Sequence, residues 1–196
     1  MKKTHGLKIK QKVPPPEPRT TLYTEALLTK TVSLEISSVG GPHMETTLET
    51  ALKHEYEGKC GVDGYVKPNS LKIQTYSSGI IERGNILTFY VSFTCQVCQP
   101  VEGMVFACTV KNITKAGIRA ESATDFPSPI VVFVPRDHAM VTHHASHHPS
   151  AAADTFQARL EAFQSAQIDD KILVKVAGQR FELGDKFVSI IGDLVV

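Results

Sequence analysis

The sequence predicts an α+β, β-rich fold: a first domain of antiparallel strands with one helix, then a five-stranded oligonucleotide-binding barrel. Three observations point there. From Ile86 to Val97, the residues Leu87, Phe89, Val91, Phe93 and Cys95 alternate with polar or small neighbours, the period of a half-buried strand. Met44, Leu48, Leu52 and Tyr56 recur every four residues, which is one face of a helix. Between Phe93 and Glu121 one strand ends at Pro100, a Glu102-Gly103 turn follows, and a second strand from Met104 to Ile113 turns at Thr114–Gly117. A small barrel begins in this way, and such a barrel offers exposed strands and loops to nucleic acid.

The elements follow in order. Residues 1–20 are polar, basic and broken by Pro14-Pro15-Pro16-Glu17-Pro18, which predicts an extended arm. A ligand for an SH3-like groove is the alternative to a plain linker. Leu27 to Ile36 alternates as a strand, and Val39-Gly40-Gly41-Pro42 breaks it. The helix over Met44–Tyr56 stops at Glu57-Gly58, glycine being favoured just past a helix end. Gly64 to Tyr76 reads as one strand. Ile80-Ile81 is a short apolar segment between the polar stretches Ser77–Gly79 and Glu82–Asn85. The first domain, residues 21–101, closes with the strand over Ile86–Val97.

Residues 102–196 supply the barrel. Met104–Ile113 and Gly117–Glu121 form its first hairpin, Ile130–Val134 its third strand, and Ile172–Ala177 and Phe187–Leu194 the last two. An insertion at 136–168 separates strands three and four. Its first part is rich in His, Ser and Pro. Its second, Ala151–Gln167, places Phe156, Leu160 and Phe163 at helical spacing, with Asp154 as a cap.

Composition narrows the function classes. The 196 residues carry a net charge of +1, so the chain as a whole is no general polyanion binder. Its charge is uneven: Lys2, Lys3, Lys8, Lys10, Lys12 and Arg19 crowd the arm, with Glu17 the one acid there. No run of about 18 apolar residues predicts a membrane helix. No apolar segment follows the first lysines, so no secretory signal is expected. Four cysteines suit a reducing compartment better than a disulfide framework.

Several constellations resemble chemistry. Cys95-Gln-Val-Cys98 has zinc-like spacing, yet Cys60 and Cys108 have no neighbouring Cys or His to complete a tetrahedral set. An offset of three along a strand also sends the two sulfurs to opposite faces, so buried, inert cysteines are expected. His143, His144, His147 and His148 lack an acid or thiol beside them and, with His138 nearby, read as a polar loop. Asp137-His138 with Ser122 or Ser128 lacks a nucleophile elbow, and Gly40-Gly41-Pro42 is too short to cradle phosphate. No catalytic set, metal site or cofactor is expected. A Cys/His metal-binding protein remains a rival class, which elemental analysis would decide.

The barrel surface is left. Lys111, Lys115 and Arg119 lie about the first hairpin, Phe133 and Arg136 on and after strand three, and Lys175 and Arg180 on or beside strand four. Cations that follow phosphates, with an aromatic for stacking, suit single-stranded RNA. Phe133 is either that aromatic or a core residue, and the core reading stands slightly ahead.

Four segments, in order over residues 22 to 194, resemble the RNA polymerase stalk family, which includes the seventh subunit of eukaryotic polymerase II and its archaeal counterpart. Glu57–Val66 (EGKCGVDGYV) is similar to the family's turn into a strand, and Val91–Gly103 (VSFTCQVCQPVEG) to its interdomain junction. Val110–Ile118 (VKNITKAGI) is similar to its first barrel hairpin. Ile172–Arg180 (ILVKVAGQR), with Ile190–Asp193 (IIGD), is similar to its last two strands. The resemblance implies an N-terminal ribonucleoprotein-like α/β domain that docks on the polymerase core subunits, and a C-terminal S1-type OB-fold barrel near emerging RNA. It implies a small helical partner subunit as well. Docking would map to the tip Ser77, Ser78, Gly79, Ile80, Ile81, Glu82, Arg83, Gly84 and Asn85.

The chain departs from the family in its proline-rich arm, in Ser122–Ser128 where the family has a Gly-Pro turn, and in ending soon after strand five. These details fit a large-DNA-virus polymerase as well as a cellular one. The expected setting is intracellular: the nucleus, or a virion or cytoplasmic virus factory. A free-standing S1-type RNA-binding protein is the nearest alternative.

Overall fold

The computed structural model describes residues 22–39, 43–136 and 158–195. Its first sheet is organised by one long strand, β6 (Ile86–Cys98), against which β1 (Thr24–Glu35) runs antiparallel from Thr24↔Val97 to Glu35↔Ile86. The other edge of β6 carries three short strands in turn: β3 (Gly64–Val66), β4 (Lys72–Tyr76) and β5 (Ile80–Arg83). The two-residue strand β2 (Cys60–Gly61) pairs with β3.

Alternation along β6 sends Phe89, Val91, Phe93, Cys95 and Val97 to one face. There Val32 of β1 joins them, and α1 (Met44–Tyr56) lays Leu48 and Leu52 across the layer. Both leucines are fully buried, and each such burial stabilises by about 2 kcal/mol. Gly58, at φ 72°, follows the helix end as the glycine signal predicts.

The expected single strand over Gly64–Tyr76 is two strands. Pro68 has no N–H for a ladder, and Asn69 takes a left-handed φ of 57°, so the chain turns between β3 and β4. Glu57 fixes that turn by accepting hydrogen bonds from the Ser70 and Leu71 N–H groups at 3.1 and 3.0 Å.

The second sheet closes into a barrel of β7 (Val105–Ile113), β8 (Gly117–Ser122), β9 (Ile130–Pro135), β10 (Lys171–Arg180) and β11 (Val188–Leu194). The order around it is β7-β8-β9-β11-β10, with β9 and β11 parallel and every other pair antiparallel. That topology fits an oligonucleotide-binding fold. Val110, Ile118, Val132, Val134, Val174, Val176 and Ile190 fill the interior. Gly192 is needed where β11 crosses β10, because a Cβ there would collide with the Val174 side chain. Phe163, on the helical residues 158–165, packs onto this core, as its spacing predicts. The arm, the histidine run and Asp154 lie outside the described residues.

The two sheets share a seam. Cys60, Tyr65 and Cys98 sit in the barrel's core cluster rather than in that of the first sheet. The segment between β10 and β11 reaches back to β2: the Cys60 N–H donates to the Asp185 carbonyl at 2.7 Å, and the Gly184 N–H to the Cys60 carbonyl at 2.9 Å. Lys67 bridges to Asp125 at 3.8 Å with its ammonium 4.5 Å from the centre of the Tyr23 ring.

Candidate nucleic-acid interface and docking tip

Strand pairing around the barrel sets up one lateral row of outward residues. Asn112 on β7 lies opposite Arg119 on β8, Arg119 opposite Phe133 on β9, and Phe133 opposite Ile191 on β11. Strand alternation turns Ile118, Ala120, Val132, Val134 and Ile190 inward, so Arg119, Phe133 and Ile191 must face out. Phe133 is 38 % exposed, which overturns the core reading of it. Its ring is seated rather than free, for a Cβ on Gly117 would come within 2.7 Å of the ring's Cζ.

The row organises the predicted cations unevenly. Lys115 lies in the β7–β8 turn, and Arg136 follows β9 with its N–H donating to the Ala116 carbonyl at 2.9 Å, so both flank the end toward which the Phe133 ring leans. Lys111 is the extra residue of a bulge between Val110 and Asn112, beside Arg119. Lys175 and Arg180 lie on β10, separated from Phe133 by β11. Five of the seven predicted residues are therefore grouped at the hairpin end, and two are not.

Acids neutralise three of the six cations. Arg119 donates to Glu121 at 3.1 Å, Arg180 to Glu182 at 2.9 Å, and Lys111 meets Asp169 at 3.4 Å. Lys115, Arg136 and Lys175 form no ion pair among the described residues. Sequence reasoning missed Ile191 and the Gly117 seat. The outward parity of Ile191 within Val188–Leu194 was the available signal for the first.

At the far end of the first sheet, the predicted tip is a β-hairpin. Ile80–Arg83 pairs with Ile86–Thr88, and Gly84, at φ 63°, makes the turn with Asn85. The chain passes over Phe89 at Gly79, where a Cβ would fall 2.8 Å from the ring. The Ile36 N–H donates to the Asn85 carbonyl at 2.7 Å, bringing a residue from beyond β1 to the same end. Ile36, Ile80, Ile81 and Ile86 are 41 to 65 % exposed there, an apolar group where the sequence suggested a mostly polar tip.

The cysteines and the Ser122 and Ser128 hydroxyls are absorbed by the fold. All four cysteines are buried, as expected. Burial pushes the Cys95 thiol up to about 11 and the Cys98 and Cys108 thiols up to about 12. Cys60 rises to about 11 through burial and then the charge of Asp185. Reactive thiols need the opposite shift. The Ser128 hydroxyl donates to the Ile130 carbonyl at 2.6 Å and accepts from the Ser122 N–H, which shapes the β8–β9 loop.

No protein-family model matches the chain. It is 32 % identical over 119 residues to a protein of Acanthamoeba polyphaga mimivirus named as a DNA-directed RNA polymerase subunit. The aligned stretch is 59 % of this chain and 56 % of the relative, so the chain spans a little over half the length of the curated protein it matches.

Proposed function

We propose that this chain is a non-catalytic stalk subunit of a DNA-directed RNA polymerase. The similarity to the mimivirus polymerase subunit supports membership of a polymerase, and the resemblance of the four sequence segments to the stalk family supports the finer role. In it, the first sheet is the ribonucleoprotein-like docking domain, and the tip Ser77–Asn85 binds the core enzyme through Ile80 and Ile81, with Ile36 and Ile86 beside them. The S1-type barrel holds emerging single-stranded RNA on the β8–β9 face, the strands that this fold generally offers to oligonucleotides. A small helical subunit completes the stalk. The setting is a virus factory or virion for a viral enzyme, and the nucleus for a cellular one.

Two features support the division of labour. The exposed isoleucines lie at the end of the first sheet, and the Arg119–Phe133 pair lies on the barrel. Co-elution of the purified chain with polymerase core lacking it tests the reading. A stoichiometric complex is expected, and separate elution at micromolar concentrations contradicts it.

A further inference from the structure

Charge in this chain is split between the arm and the folded body. Six cations against Glu17 give residues 1–20 a charge of +5, and the chain's total is +1, so residues 21–196 carry −4. We infer that residues 1–20 form a nucleic-acid-binding arm that holds the phosphate backbone through Lys2, Lys3, Lys8, Lys10, Lys12 and Arg19, without reading base sequence. This goes beyond the stalk reading and does not need the barrel to hold RNA.

The folded body does not supply the same field. Among the described residues, six lysines and arginines stand within 3.8 Å of a carboxylate, from Lys53–Glu49 on α1 to Arg180–Glu182 at the end of β10. Lys115 and Arg136 are unpaired on the barrel, but two phosphate contacts on a single strand give a log–log salt slope of only about −1.4. Six contacts give about −4. A body of net negative charge repels a polyanion at long range, so the attraction has to come from the arm.

The arm is rooted on the barrel. Leu22 and Tyr23, directly before β1, pack against the barrel's core cluster. The Tyr23 ring carries the Lys67 ammonium 4.5 Å from its centre, and Lys67 bridges to Asp125 in the β8–β9 loop at 3.8 Å. This clamp fixes where the chain joins the body, four residues after Arg19 and eleven after Lys12. Lys12 is therefore held within about 40 Å of the clamp, which lets the arm and the barrel engage one nucleic-acid molecule. Proline-rich segments are stiff spacers. Here four prolines stand between the five lysines and the clamp, a composition that opposes collapse onto the acidic body.

Affinity of the full chain is measured for a short single-stranded RNA and for a DNA duplex of the same length, at about 50 and about 200 mM salt. Two full-length variants accompany it: one carries Gln at all six cations, the other Ala at Pro14, Pro15, Pro16 and Pro18. The unaltered chain should lose a few hundred-fold in affinity for the RNA between the two salt concentrations. The Gln variant should bind at least ten-fold more weakly at low salt, with a slope no steeper than about −1.5. The Ala variant should bind as the unaltered chain does, and thermal melts should place all three together. A charge-dependent loss on both ligands, or on one, supports the arm, and the second case identifies which nucleic acid it holds. A Gln variant that keeps the affinity and the steep slope would overturn the inference, as would no binding of either ligand at low salt. A loss in the Ala variant alone would overturn it too, in favour of a partner that reads the prolines.

Discussion

Cys95 and Cys98 sit three residues apart on β6 and belong to different cores. Cys95 packs with Phe93 and Leu52 under α1, whereas Cys98 packs with Tyr65 in the barrel's cluster. One ion cannot draw both sulfurs together without breaking the strand. The pair marks where one sheet hands its interior to the next.

The thiols give a pH prediction. An unfolded cysteine ionises near pH 9, while the folded chain holds these protons until about 11 to 12. Above pH 9 the unfolded state releases protons that the folded state keeps, so stability falls as pH rises; below pH 9 this contribution is flat. The slope is at most about 1.4 kcal/mol per pH unit for each thiol. Denaturant midpoints taken from about pH 8 upward should show the decline, and Cys98→Ala should make it shallower.

Two turn glycines should differ in what they tolerate. Gly64 and Gly84 both have positive φ, at 115° and 63°. A Cβ at Gly64 would sit 2.6 Å from the Cys98 carbonyl, whereas Gly84 faces open space. Gly84→Ala should cost about 1 kcal/mol from backbone strain alone. Gly64→Ala should cost about 3 kcal/mol or more, because the seam strand must move. Chemical denaturation of both variants checks the difference.

Sharing of core residues across the seam predicts joint unfolding. Tyr65 is 1 % exposed, lies on the first sheet and packs in the barrel's cluster. Calorimetry should give one cooperative transition for the two sheets. Tyr65→Ala should destabilise by about 3 to 5 kcal/mol, and Asp125→Ala, which removes the long, partly exposed contact to Lys67, by less than about 1 kcal/mol. Two separate transitions in the unaltered protein would contradict this.

Much of the fold was legible because its strands alternate cleanly. Leu87 to Cys95 set β6, and Val110, Ile118, Val132, Val174 and Ile190 each fell on a strand whose parity buried it. The break at Pro68-Asn69 was misread because Gly64–Tyr76 looks continuous when apolar residues alone are followed. At the site, Arg119–Glu121 was readable in principle, since residues two apart on a strand share a face. Lys111–Asp169 was not, because it joins positions brought together by barrel closure. Phe133 could not be assigned from sequence: one residue's shift in register would have buried it. The tip's apolar character was half hidden, because Ile36 arrives there from beyond the end of β1.

The tip gives the sharpest mutational contrast. Ile80 and Ile81 are 51 and 65 % exposed, so Ile80→Asp with Ile81→Asp should change folding stability by no more than about 1 kcal/mol in total. The same double substitution should weaken binding to the polymerase core at least ten-fold, about 1.4 kcal/mol. Thermal melts and core-binding titrations separate the two effects.

The most direct measurement is affinity purification of the tagged chain from the cells in which it acts, with the co-purifying proteins weighed and quantified by mass spectrometry. The two large polymerase subunits should be recovered in near-equal amount with the chain and be lost with the Asp substitutions at Ile80 and Ile81. Recovery of the chain without them, or with both forms alike, would contradict a subunit anchored by that hairpin.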